Sequence, residues 1–108
     1  MIVAGQNVPL DKDGHLINLT QWNPQVAQAL AAQENIVLTH EHWEIVNLIQ
    51  EFYREYQISP AMRALVKYTE KKLGQEKGKS VYLLQLFPPS PARIASKVAG
   101  LPRPTNCL

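Results

Sequence analysis

The most regular alternation of apolar and polar positions runs from 45 to 56. Ile45, Val46, Ile49, Phe52, Tyr53 and Tyr56 recur there mostly at steps of three and four. That period puts them on one helical face. The stripe predicts the longest helix of the protein and the central beam of its core. Thr39, just ahead, fits the N-cap, with Glu41 and Glu44 near the positive end of the helix dipole. His40 and His42 stand two positions apart and face different sides of such a helix. They make a poor metal pair and read as surface or capping residues.

The same reading extends in both directions. Asn23-Pro24 is a cap followed by a proline suited to the first helical position, and predicts a helix to about Gln33 with Val26, Ala29 and Leu30 on its face. Ile36-Val37-Leu38 is a short apolar connector. Ser59-Pro60 repeats the cap-then-proline start, for a helix through Met62, Leu65, Val66 and Leu73 that stops at Gly74. Ser80 is expected to cap a helix through Val81–Leu84 and Leu86. Pro88-Pro89 ends it, and Ser90-Pro91 opens a last short helix through Ile94 and Val98 to Gly100. Before all of these, Ile2–Val8 and His15–Leu19 flank Asp13-Gly14, a hairpin turn signal, with Pro9 confining the first strand to an edge. The expected fold is mostly α: an orthogonal bundle of about five helices over residues 23–100, a small N-terminal β-hairpin over 1–19, and a flexible C-terminal arm over 101–108. Residues 1–100 read as a single domain, of a length that supports a modest core.

The arm changes the picture, because it carries the candidate chemistry. Gly100 suits a helix stop, and Pro102 and Pro104 favour an extended path beyond it. The only cysteine, Cys107, is the penultimate residue. From Gly100 to Cys107, such a path spans about 22 Å. Position and chemistry leave two readings. A lone cysteine is commonly an inert small hydrophobe, and termini commonly fray. A thiol behind two prolines is instead poorly placed for a core and well placed to enter a partner's site. Zinc is not expected, since about four ligands are needed and His15, His40 and His42 are remote in sequence.

Ala99-Gly100-Leu101-Pro102-Arg103-Pro104, followed by Cys107-Leu108, resembles the C-terminal arm of the TusE/DsrC family of sulfur-carrier proteins. Three more stretches match in family order: His42–Val46 leading to Glu51-Phe52-Tyr53, Ser59–Arg63 with Leu65-Val66-Lys67, and Tyr82-Leu83 with Leu86-Phe87-Pro88. The match runs from about residue 40 to the end, and the N-terminal hairpin pattern fits it. The resemblance implies that Cys107 accepts sulfur as a persulfide, making the chain a sulfurtransferase in the sense of a carrier rather than a stand-alone catalyst. It implies a relay for 2-thiolation of the tRNA wobble uridine, with a donor complex of the TusBCD type and a tRNA 2-thiouridylase, and with tRNA itself, as partners. Members serving dissimilatory sulfite reductase carry a second cysteine eleven positions before the penultimate one. Here that position is Ser96, which excludes an intramolecular disulfide and favours the TusE branch. A DsrC-related carrier or sensor in sulfur oxidation or sulfite reduction is the alternative. Pro89-Ser90 also departs from the family's usual basic residue and glycine. Arg103, four residues from Cys107, can favour the thiolate if it folds back.

Composition adds limits. One cysteine rules out an internal disulfide framework and suits a reducing cytoplasm. No charged segment with a long apolar run opens the chain, and no apolar stretch approaches the length of a membrane span. No phosphate loop, hydrolase elbow, paired carboxylate motif or metal cluster stands out, so no cofactor or metal is expected and any chemistry passes through Cys107. The net charge of +2 is uneven: residues 1–56 hold two basic and seven acidic side chains, residues 57–108 nine basic and two acidic. That asymmetry suits an acidic partner or nucleic acid, or serves solubility alone. Arg63, Lys67 and Lys71 fall on one stripe of the second of two successive helices, so a helix-turn-helix regulator binding DNA is the remaining alternative.

Overall fold

The computed structural model describes residues 1–105 and contains five α-helices and one two-stranded sheet among them. The helices are α1 (Pro24–Gln33), α2 (His40–Tyr56), α3 (Met62–Leu73), α4 (Ser80–Leu86) and α5 (Pro91–Val98). The strands β1 (Ile2–Val3) and β2 (Gln6–Asn7) pair antiparallel. The fold is mostly α, as the periodicity predicts.

Helix starts follow local chemistry where a side chain can supply it. The Asn23 side chain accepts from the Val26 N–H and opens α1. At α2, Thr39 and His42 form a reciprocal capping box, in which His42 Nδ1 accepts the Thr39 N–H at 3.0 Å. Two expected caps are corrected. Ser80 is the first residue of α4 rather than its cap. Ser59 does not cap α3, which begins after Ala61 with no side-chain cap; its hydroxyl is spent on the carbonyl of Pro102 instead.

The apolar stripe of α2 is buried at Ile45, Val46, Ile49 and Phe52, and Leu48 joins it. Tyr56 does not, being 49% exposed. The hub, however, is α5, which touches each of the other four helices. Ala92, Ala95 and Ser96 let those neighbours approach closely, while Ile94 and Val98 are fully buried. Burying each of these two side chains contributes about 1.5–3 kcal/mol. Lys97 is also buried and pairs with Glu34 at 2.6 Å. Glu34 is only partly buried, so the pair is worth less than a fully buried one, but the contact ties α5 to the end of α1.

The N-terminal hairpin lies earlier in the chain than the Asp13-Gly14 signal implies. Ala4 and Gly5 both adopt positive φ and make the tight turn between β1 and β2. Around Asp13-Gly14 there is only a single bridge, Leu10 to Leu16. Pro9 lacks the N–H that a longer ladder needs, and the Asp11 side chain takes the N–H groups of Asp13 and His15. Val3, Val8 and Leu16 pack with Val26 and Leu30 into a second apolar cluster, and Trp22 borders both clusters.

The first residues of the expected arm over 101–108 lie against the body. Leu101 and Pro104 are buried, so the chain does not leave the body at Gly100. It stays attached through at least Pro104.

Candidate functional site

Gly100 ends α5 in the left-handed region, with φ of 76°. The Leu101 N–H reaches back to the Ser96 carbonyl and the Gly100 N–H to that of Lys97, the paired bonds of a Schellman stop. A Cβ on Gly100 would run into the Trp22 side chain, so glycine is required here for space as well as for φ.

The chain beyond α5 is then held by side chains from four separate places. Trp22 Nε1 donates to the Val98 carbonyl at 2.9 Å, and Gln50 Nε2 of α2 donates to Ala99 at 3.0 Å. His15 Nδ1 meets the Leu101 carbonyl at 2.9 Å, and Ser59 Oγ donates to Pro102 at 2.5 Å. A carbonyl has no proton, so Nδ1 of His15 carries the hydrogen in this pair. His15 is buried, and its Nε2 has no partner. The loop bearing it rests on Lys97, whose Nζ would collide with a Cβ at Gly14.

Two hollows flank this strap. One of about 260 Å³ lies between Leu19, Trp22, Tyr53, Arg54 and Gly100. The other, about 110 Å³, lies between Tyr53, Ile58, Ser59, Pro102 and Arg103. Ile58 is 56% exposed, leaving an apolar rim beside the strap.

Cys107 lies outside the described residues. Arg103 is exposed, and its guanidinium stands 3.6 Å from the Asp13 carboxylate. An exposed pair of this kind contributes little, but it aims the charge at the N-terminal loop. His42 is buried, with Nε2 on the Leu86 carbonyl at 2.7 Å and its ring edge-on to Phe87. His40 is exposed beside Glu44. Among the described residues, no group of three or more His, Cys, Asp or Glu could hold a metal, and no helix is long and apolar enough to cross a membrane. Arg63, Lys67 and Lys71 are all exposed along α3. The residues that sequence reasoning passed over are His15, Trp22, Gln50 and Ser59. Their partners are 86, 76, 49 and 43 positions away, so no local pattern announces them.

The family model described as DsrC like protein matches residues 2–108. The chain belongs to the DsrC-like family. It is 50% identical over 106 residues to the sulfurtransferase TusE homolog of Haemophilus influenzae, covering 98% of this chain and 97% of that one. It is 48% identical over 108 residues to the sulfurtransferase TusE of Salmonella paratyphi A, covering 100% and 99%. The NMR structure of Allochromatium vinosum DsrC superposes with a TM-score of 0.90 at 51% identity, covering 100% of this chain and 96% of that one. Identity is thus similar toward these three proteins, two of them named TusE and one DsrC. Ser96 stands eleven positions before Cys107. It is fully buried in α5, and its hydroxyl has no hydrogen-bond partner.

Proposed function

We propose that this DsrC-like protein is a sulfur carrier that receives persulfide sulfur on Cys107 and passes it along a relay for 2-thiolation of the tRNA wobble uridine. The observation that carries this reading is a lone thiol three positions beyond Pro104, a buried residue of the C-terminal strap, in a chain about half identical to proteins named as TusE sulfurtransferases.

The chemistry needs no cofactor. The Cys107 thiolate attacks the outer sulfur of a donor persulfide. The donor's sulfur–sulfur bond breaks, its thiolate leaves, and the persulfide now sits on Cys107. One sulfur–sulfur bond replaces another, so there is no net oxidation. A second transfer of the same kind hands the sulfur to the acceptor. An ordinary thiol, with a pKa of about 8.5, is only a few per cent thiolate at neutral pH. Arg103 faces Asp13, so the partner's site completes the activation. The relay partners are a donor complex of the TusBCD type and a tRNA 2-thiouridylase. The exposed Arg63, Lys67 and Lys71 offer α3 as a basic docking face for an acidic protein surface or the tRNA backbone. A lone thiol suits the reducing cytoplasm.

A second reading, a carrier in sulfur oxidation or sulfite reduction, is favoured by the 51% identity to A. vinosum DsrC. Loss of the second thiol at Ser96 argues against it, since no intramolecular disulfide can then store oxidising equivalents.

Mass spectrometry after incubation with a cysteine desulfurase, cysteine and the relay donor tests the proposal. The wild-type chain gains the mass of one sulfur on Cys107, and Cys107→Ser gains none while melting at the same temperature. Retained labelling in that variant would end the carrier reading. Adding thiouridylase and tRNA separates the two readings, because only the first predicts thiolated tRNA.

A further inference from the structure

Residues 57–108 hold nine basic side chains and two acidic ones, whereas residues 1–56 hold seven acidic and two basic. Folding neutralises part of that imbalance inside the molecule. Lys72 pairs with Glu51, Lys77 with Glu44, Lys97 with Glu34 and Arg103 with Asp13. Each pair joins a base of the second half to an acid of the first. Among the described residues, Arg63, Lys67 and Lys71 make no ion pair, and all three are exposed on α3. We propose that this face of α3 binds the phosphodiester backbone of a structured RNA, with tRNA as the natural case. The inference deepens the relay reading and rests on it for the identity of the RNA.

The spacing and the chemistry of the face carry the argument. A step of four residues advances about 6 Å along a helix and turns the side-chain direction by about 40°. The three cations therefore form one slowly winding line about 12 Å long. Cations at regular intervals match a backbone that repeats one negative charge per nucleotide. The face lacks what a protein partner needs. Protein interfaces are anchored by aromatic and apolar side chains and are depleted in lysine. On α3, Leu65 and Tyr68 are buried, and Met62, Val66 and Leu73 pack against the same core. The large apolar side chains that stand exposed, from Ile2 to Leu84, all belong to other segments. What α3 shows to solvent is charge on long stems. Glu70 is the one acid on the helix; it is exposed and makes no ion pair with Lys67 or Lys71 among the described residues. Phosphate contacts position a nucleic acid without reading its sequence, so the face orients the RNA rather than selecting it by sequence.

Fluorescence anisotropy of labelled, unmodified tRNA with the full-length chain, at 50 and 200 mM salt, tests the proposal. For a helical nucleic acid, affinity falls with roughly the 0.9 power of salt concentration per phosphate neutralised. Three such contacts make the wild type lose about 40-fold in affinity across this range, Lys67→Gln about 12-fold and Lys67→Gln/Lys71→Gln about fourfold. Lys12→Gln removes one exposed positive charge from the N-terminal loop and keeps the wild-type loss. Glu70→Gln removes the opposing charge and tightens binding at 50 mM salt. All four variants change exposed side chains and melt with the wild type. A salt dependence left unchanged by the double variant would overturn the proposal. An effect of Lys12→Gln as large as that of Lys67→Gln would also overturn it, since any positive charge would then serve. Tighter binding of random-sequence duplex DNA than of tRNA would do the same, as would weakened docking of a relay protein in the double variant with tRNA affinity unchanged. If the wild-type chain accepts no sulfur, the relay reading alone fails, and the anisotropy still decides whether α3 holds RNA.

Discussion

Nδ1 of His15 and the carbonyl oxygen of Leu101 meet at 2.9 Å across 86 positions of sequence. The N-terminal loop thereby sets where the C-terminal chain runs. The Asp11 side chain shapes that loop, Lys97 supports it from below, and the Lys97–Glu34 pair fixes Lys97. Hydrogen bonds thus run from Asp11 through His15 to the backbone beyond α5.

Gly100→Ala tests the turn at the end of α5. The φ of 76° disfavours any side chain, and the new Cβ would displace Trp22 from its bond to Val98. The two effects together should destabilise the protein by about 2–3 kcal/mol. That lowers the Tm by roughly 10 °C or more. Thermal melts with tryptophan fluorescence report both consequences. An unchanged melt would mean that Trp22 does not pack on this glycine.

Ser96→Ala should act in the opposite sense. The serine hydroxyl is buried without a partner, whereas alanine fills nearly the same volume with nothing to satisfy. Removing an unpaired polar group of this kind stabilises by about 1 kcal/mol, raising the Tm by a few degrees. Denaturant unfolding should show a higher midpoint at constant slope. A lower midpoint would show that the hydroxyl has a partner after all.

Asp11→Ala should loosen the loop that presents His15, in a pH-dependent way. Partial burial raises the Asp11 carboxyl, but the N–H groups of His15, Asp13 and Gly14, helped by the His15 ring, outweigh it and hold it below its ordinary value. A carboxylate depressed by folding contributes stability above its unfolded value, about 3.9. That contribution is lost as pH falls through the folded value. The variant should therefore be less stable than wild type near neutrality, by a margin that solvent screening at this exposed side chain keeps small, with the gap closing below about pH 4. Paired melts across that range measure the gap directly. A gap of constant size would remove Asp11 ionisation as its source.

The sequence by itself determined the elements whose causes are local. Period and local start signals located α1, α2 and α5, because the Asn23 and Thr39 side-chain caps and the proline at the start of α5 act within one turn. The lone penultimate cysteine and Ser96 are facts of sequence, and they already pointed to a one-thiol carrier. The hairpin's place escaped the Asp13-Gly14 signal for a local reason, since Asp11 captures N–H groups that a ladder there would need. Tertiary structure alone made short α5 rather than long α2 the hub, because small residues matter only when neighbours close around them. Above all, it decided that the arm remains fastened through Pro104. Leu101 and Pro102 look free in sequence because proline forbids helix. Their carbonyls remain good acceptors, and the donors that hold them, His15 and Ser59, reach them only once the helices have packed.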